Sequence, residues 1–587
     1  MPRLLLGPLL RYVGETEATI WVETDAPCTV EILGHSAKTF SVLGHHYALV
    51  VVTGLEPGST QEYDVRFDGE TVWPLTAGRY GPSVLRTLGH SEPLKICFGS
   101  CRVSAPDEPP FTHSPRLHHH GREVDALEGL INRMRSTPQH SWPDLLLLVG
   151  DQVYADILSP AVAGRVKARR GEQSPDSLKA ATGEMAPETQ VADFEEYTWL
   201  YRESWQDESL RWLLSTVSSA MIFDDHDVHD DWNTSAAWVA DMRRRPWWRE
   251  RLVGGYATYW IYQHLGNESP ADLEEDALWR TVREGGDHTE AVLDFAGRAA
   301  EGGAARASSA LEESENDLAG AVVAGTRWSY RRDFGRTRLL VLDSRAGRQL
   351  EEGRRKMLSD TEMQWVEDQV TEGGYDDLLL ATSLPWLMAP GLHHLEAWNE
   401  AVCAGAWGPW LRGPAEKLRQ RVDLEHWAAF GRSFTRLTEL IAETASGPDA
   451  PRTIAVLSGD VHHAYVAEAS FPGRPAVQSQ VIQAVCSPIR NPLAIGERLI
   501  LRAFQSKLAG LLGLGLSLAA GLTKPGVRWR FTESPTFDNQ LATLVIHPAQ
   551  LRLDIEKTVP ADWEHPVLHE SIAWRSRVTT PGGQEPA

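Results

Sequence analysis

Five short apolar runs, each closing on charged or metal-ligating residues, constrain this chain more than any other feature. They are Lys95–Cys101 (KICFGSC), Leu145–Asp151 (LLLLVGD), Ala220–His226 (AMIFDDH), Leu339–Arg345 (LLVLDSR) and Thr453–His462 (TIAVLSGDVH). Runs of this length suit buried strands better than helices. Helical patterns, such as Val124–Met134 and Thr361–Val370, lie between them. Buried strands alternating with helices predict an α/β layered fold. In such folds ligand chemistry collects where strands end and loops begin. All five polar clusters stand at that end.

The first 90 residues have a different texture. Ala18–Thr24, Cys28–Leu33, Tyr47–Thr53 and Tyr63–Phe67 are β-type runs, with a Leu-Glu-Pro-Gly turn before the last. They predict a small all-β domain of fibronectin III or immunoglobulin type over 1–90. A larger α/β domain is expected over 91–575. Insertions are expected near 159–191 and 299–320, the second as a flexible connector, with a disordered tail at 576–587. The longest apolar stretch, Leu508–Thr523, has 16 residues between Lys507 and Lys524. A bilayer span needs about 18–20. The stretch reads as a buried or lid helix rather than a membrane contact, although its four glycines weaken it as a helix.

Charge narrows the function classes. Lys and Arg number 57 against 80 Asp and Glu, a net −23. A body this acidic repels polyanions, which excludes a nucleic-acid coat. A small phosphorylated substrate is compatible if positive charge is supplied locally. The five cysteines are scattered without a CxxC pair, so neither a zinc cluster nor a disulfide scaffold is expected. The N-terminus has no secretory signal pattern, and the expected location is cytoplasmic.

The strand ends carry the chemistry. In Gly150-Asp-Gln-Val-Tyr154 the glycine lets the chain turn and Asp151 can bridge two cations, although taken alone it also reads as a helix N-cap. Gly459-Asp-Val-His-His463 repeats the design with Asp460 and His462. Phe223–Trp232 (FDDHDVHDDW) packs five aspartates and two histidines into ten residues. That density is costly unless cations neutralise it. Asp343 and Arg345 also read as an ion pair holding a loop.

In this order and spacing, FGSC, GDQVY, FDDHDVHDDW, LDSR and SGDVHH resemble the PhoD-like (alkaline phosphatase D) family of metallophosphoesterases, from about residue 5 to 560. The resemblance implies a four-layer αββα sandwich after a small β domain. It implies Fe3+ held by Cys101, Asp151, Tyr154 and His462, and Ca2+ held by Asp151, Asp225 and Asp460. An all-oxygen second site also suits Mg2+ or Mn2+. Asp224, Asp230, Asp231 and Asp343 stand as further ligands or supports. Two departures bear on this: Arg102 stands where relatives often have Gln, and Asp227–Asp231 (DVHDD) where they more often show Glu and Asn.

The implied reaction is hydrolysis of phosphate monoesters or diesters. The metals would polarise the phosphoryl oxygens and deprotonate a bound water. His226 would be the general acid, and Arg345 or Arg102 would clamp the phosphate. A phospholipid-headgroup phosphodiesterase and a non-catalytic binding protein on the same fold are the alternatives. Oxidation at a non-haem iron is disfavoured, because the GDxxY and GDxH pair fits hydrolysis better.

Overall fold

Side-chain alternation within the strands decides the packing. In the strand Thr337–Leu342, Leu339 and Val341 join the core shared with Leu145, Leu147, Leu541 and Leu553 of another sheet. Leu340 and Leu342 point the opposite way. They join Met363 and Val366 of the helix Asp360–Thr371 and Leu437 and Ile441 of the helix Gly431–Ser446. Strands buried on both faces read as continuous apolar runs, as these do. The computed structural model describes residues 1–74, 78–89, 93–172, 186–308, 327–474, 477–559 and 566–577.

The region after residue 93 holds two mixed sheets. One has six strands in the order Ser218–Ile222, Leu145–Val149, Leu94–Gly99, Gln540–His547, Gln550–Val559 and Val567–Arg575. Its first three are parallel, so their C-terminal ends share one edge. The other has seven strands, with Thr337–Leu342, Asp377–Thr382, Thr453–Ser458 and Gln480–Val485 parallel and adjacent. The five sequence motifs leave these strand ends.

Three expectations are corrected. The supposed flexible connector begins as part of the helix Thr289–Ser308, and the stretch expected as an insertion near 159–191 opens with the helix Pro160–Glu172. Of those segments, 173–185 and 309–320 lie outside the described residues. The tail expected from 576 starts later, because Ser576 is buried and its Oγ accepts the Leu551 N–H at 2.9 Å. Residues 578–587 lie outside the described residues. The Leu508–Thr523 run does form a helix, Lys507–Ala519, yet it is not buried: Leu508, Leu511 and Leu512 are each more than 60% exposed.

The N-terminal region is all-β and has its own core of Ile20, Val30, Val50, Val65 and Phe67. It is not a detached module. The buried Arg11 guanidinium donates to the carbonyl of Gln263 at 2.6 Å, and to those of Tyr262 and the Asn267 side chain at 3.3 and 3.2 Å.

His45 adds a titratable lock to this interface. Its Nε2 lies 2.6 Å from Glu195 and its Nδ1 3.6 Å from Glu23. Burial works to lower its pKa, but these two carboxylates raise it from 6.5 to about 9. Hydrogen bonding to His45 lowers the Glu195 pKa to about 2. A raised histidine pKa stabilises the fold fully below about 6.5 and loses that contribution as pH climbs through 9. The melting temperature is therefore expected to fall between pH 6.5 and 9, reflecting on the order of 1–3 kcal/mol. His45→Ala should flatten that slope in a pH series of thermal melts.

Candidate metal centre

Close approach at the strand ends brings the two sheets together. A Cβ on Gly459 would lie 2.1 Å from Ser100 Oγ, so only glycine fits where the two strand ends meet. That hydroxyl accepts the Asp460 N–H at 2.8 Å and lies 3.1 Å from Cys101 Sγ. One serine thus ties the FGSC and GDVHH ends together. Gly150 has φ +119° and faces Asp224, whose Cβ would be 2.6 Å from an added methyl group.

The backbone then turns sharply at the polar residues. Cys101, Asp151, Asp460 and His462 have φ of +58°, +52°, +64° and +50°. Non-glycine residues rarely adopt this left-handed region, and where they do the surrounding structure must hold them there. Part of that hold is visible: Asp227 Oδ2 accepts the N–H groups of Asp151 (3.0 Å) and Asp224 (2.9 Å).

Ligand atoms consequently converge in overlapping sets: Cys101, Asp151 and His462; Asp151, Asp225 and His226; and Asp224, Asp225 and Asp460, each with its atoms within 4.8 Å of one another. Tyr154 places its hydroxyl 3.4 Å from Asp151 Oδ2. The sets meet in a cavity of about 450 Å3. Three buried oxygens here, Asp151 Oδ1, Asp224 Oδ2 and Asp225 Oδ1, accept no hydrogen bond from the protein, and only the last has a cation near it, Arg345 Nη2 at 3.3 Å. Buried anionic oxygens left unpaired cost several kcal/mol each in ordinary protein, roughly. A thiol, a phenol, an imidazole and these carboxylates are a donor set that cations satisfy, so the residues present fit metal ions.

Burial dominates the local electrostatics. It pushes the Asp151 carboxyl well above its ordinary value, and the neighbouring aspartates push the same way. It also raises the Cys101 thiol and the Tyr154 phenol, and it lowers His462 to about 4, a neutral imidazole free to ligate. His226 behaves differently. Burial acts to discharge it, but Asp156 and Asp225 outweigh that and hold it well above 6.5. Its Nδ1 lies 3.0 Å from Asp156 Oδ1, and its ring contacts Tyr154 with centroids 4.6 Å apart.

Three sequence-based roles are corrected. Arg345 is completely buried, so it cannot clamp a phosphate from the cavity. Its Nε pairs with Asp224 and its Nη1 with Glu425 at 2.6 Å, while Nη2 lies 3.3 Å from Asp225 and 3.5 Å from Asp460. It is a fixed cation behind the carboxylates. Arg102 is also buried: it pairs with Asp125 at 2.7 Å, donates to the Ser204 carbonyl, and lines a neighbouring cavity instead. Asp343 accepts the N–H groups of Arg345, Ala346 and Gly347, and so organises its loop rather than facing the site.

Asp230 is mostly exposed, 3.7 Å from His226 Nε2, and Asp231 donates its N–H to Asp225 Oδ2 at 3.0 Å. Both line the cavity.

Sequence reasoning missed four residues here. His426 Nε2 lies 3.3 Å from Asp460 Oδ2, and Glu396 holds its Nδ1 at 2.6 Å. Asn491 Nδ2 donates to the Tyr154 hydroxyl at 3.2 Å. Asp156 anchors His226. The signals were slight: Asp156 lies two residues past the GDQVY motif, His426 follows Glu425, Glu396 follows His393-His394 by two, and Asn491 follows Arg490.

Known proteins place this architecture. The profile of the PhoD-like phosphatases matches residues 125–498, and a domain of unknown function matches 1–85. No curated protein matches the chain. A solved structure described as "Structure of PhoD" superposes with a TM-score of 0.57 at 12% identity, covering 99% of this chain and 94% of its own. A purple acid phosphatase, PPD1 from yellow lupin (Lupinus luteus) seeds, gives 0.45 at 10% identity over 97% and 73%. Over well more than half its length, the chain matches the first of these profiles, and it belongs to the PhoD-like phosphatase family.

Proposed function

We propose that the protein hydrolyses small phosphate monoesters or diesters using iron and a second cation. The observation that carries this reading is the convergence of three ligand sets, with unpaired buried carboxylate oxygens, on one cavity. Cys101, Asp151, Tyr154 and His462 would hold Fe3+. Asp151, Asp225 and Asp460 would hold Ca2+, with Mg2+ or Mn2+ as the other oxygen-preferring candidates. Bound there, such ions supply Lewis acidity toward phosphoryl oxygens and lower the pKa of water.

The chain's own residues supply the rest. His226, kept protonated by Asp156, is placed to donate a proton to the leaving oxygen. Arg345 offsets part of the carboxylate charge of Asp224 and Asp225 from behind without blocking the cavity. Asp227 holds the Asp151 turn. The helix–sheet–sheet–helix order that the family implies is supported by the opposed faces of the strand Thr337–Leu342.

Element analysis of protein purified without added metal tests the reading, together with hydrolysis of p-nitrophenyl and bis-p-nitrophenyl phosphate. Metal bound in about stoichiometric amount with turnover is expected; metal-free, inactive protein after reloading would refute it. A second outcome concerns iron alone. The iron-loaded protein should show a visible phenolate-to-iron absorption band, and Tyr154→Phe should abolish it while leaving bound iron measurable by element analysis.

A further inference from the structure

The helix Lys507–Ala519 is built inside out. Its small residues face the protein: Gly513 lies against His394 and the Gly391 carbonyl, Gly510 against Pro390, and Ser517 donates to the His394 carbonyl at 2.8 Å. Its leucines face outward. Among the described residues, thirteen large apolar side chains are exposed, and seven of them are Leu499, Ile500, Leu508, Leu511, Leu512, Leu516 and Leu518. A water-facing helix carries the opposite pattern. A contiguous patch of this kind marks an interaction surface.

Charge selects the partner. From Arg498 to Thr532 the chain carries Arg498, Arg502, Lys507, Lys524, Arg528 and Arg530 and not one Asp or Glu, in a protein of net charge −23. Apolar side chains flanked by basic ones complement an anionic lipid surface. Trp410, 74% exposed, lies three residues from Trp407, whose indole N–H donates to the Ala519 carbonyl at the far end of the helix. Tryptophan favours the bilayer interface.

Geometry sets the mode of contact. No single described helix is long and apolar enough to cross a membrane, and Gly496–Phe504 meets Lys507–Ala519 at a 68° bend. We infer that this helix pair docks the protein on an anionic lipid surface, lying in the interface plane. The inference stands on exposure and charge and needs no hydrolytic activity. Leu493, Glu497 and Leu501, from the same segment, line the metal cavity, so docking sets the cavity mouth at headgroup level.

Flotation with phosphatidylglycerol–phosphatidylcholine vesicles tests this, with pure phosphatidylcholine as the comparison. Wild-type protein should float with the anionic vesicles and bind them less in high salt. Leu511→Ser combined with Leu512→Ser should weaken binding at least about tenfold. Lys507→Glu with Lys524→Glu should weaken it at least about 25-fold through charge alone, roughly fivefold per basic side chain lost. Neither pair lines the cavity, so hydrolysis of soluble bis-p-nitrophenyl phosphate should stay unchanged. Protein that floats without hydrolysing anything would support docking while removing the hydrolytic reading. No association with anionic vesicles, or equal binding by wild type and both variants, would overturn the inference. So would a dimer that sediments at twice 65.2 kDa, disappears in the leucine variant and ignores vesicles.

Discussion

Asp151→Asn should lose roughly 1,000-fold in kcat/KM toward bis-p-nitrophenyl phosphate, since cation-based stabilisation of transition-state charge is worth several kcal/mol and each tenfold about 1.4. Asp151 is the one side chain shared by the thiol-containing set and the set with Asp225 and His226. Its replacement therefore touches both candidate ions, and bound metal should drop with activity. The fold should survive. Asn keeps the shape, tolerates positive φ, and retains the N–H donated to Asp227. The metal-free variant should even melt higher than metal-free wild type, because it removes a carboxyl that burial and neighbouring aspartates disfavour as a charge. Element analysis, kinetics and thermal melts together read this opposition. Unchanged metal and rate would refute the assignment.

His226→Ala should cost about 100- to 10,000-fold in kcat on alkyl phosphate esters, the range of a lost general acid. The loss should be much smaller with p-nitrophenyl esters, whose leaving group needs little protonation. Bound metal should stay, because the proposed ions draw their ligands from Cys101, Asp151, Tyr154, Asp225, Asp460 and His462, and Asp156 holds the His226 Nδ1. Asp156→Asn should give a partial version of the same leaving-group dependence. A variant that loses metal instead would make His226 a ligand, and equal losses across leaving groups would remove the acid role.

The strand ends were legible because each concentrates ligand types after an apolar run, and Cys101, Asp151, Tyr154, Asp225, His226, Asp460 and His462 all reach one neighbourhood. Direction was not legible. Arg345 follows a strand as a phosphate clamp would, but the sequence cannot show that it turns inward to Asp224 and Glu425. His426 comes from a segment between helices, and only folding sets it beside Asp460. The Leu508–Thr523 run shows the same limit on a larger scale. Apolar content says that a helix must hide leucines, whereas the glycine spacing that turns them outward acts only once Gly391 is beside it.

The Arg11 contact orders events during synthesis. Its carbonyl partners lie 251, 252 and 256 residues downstream. At about 5–20 residues per second, roughly 12–50 s pass before they leave the ribosome. The first β domain can close its own core in that time, but one side of it stays wet, with a cation waiting to be covered. The nascent chain therefore holds a finished domain with an unfinished face, and the arrival of residues 262–267 is the moment at which the two halves can become one body.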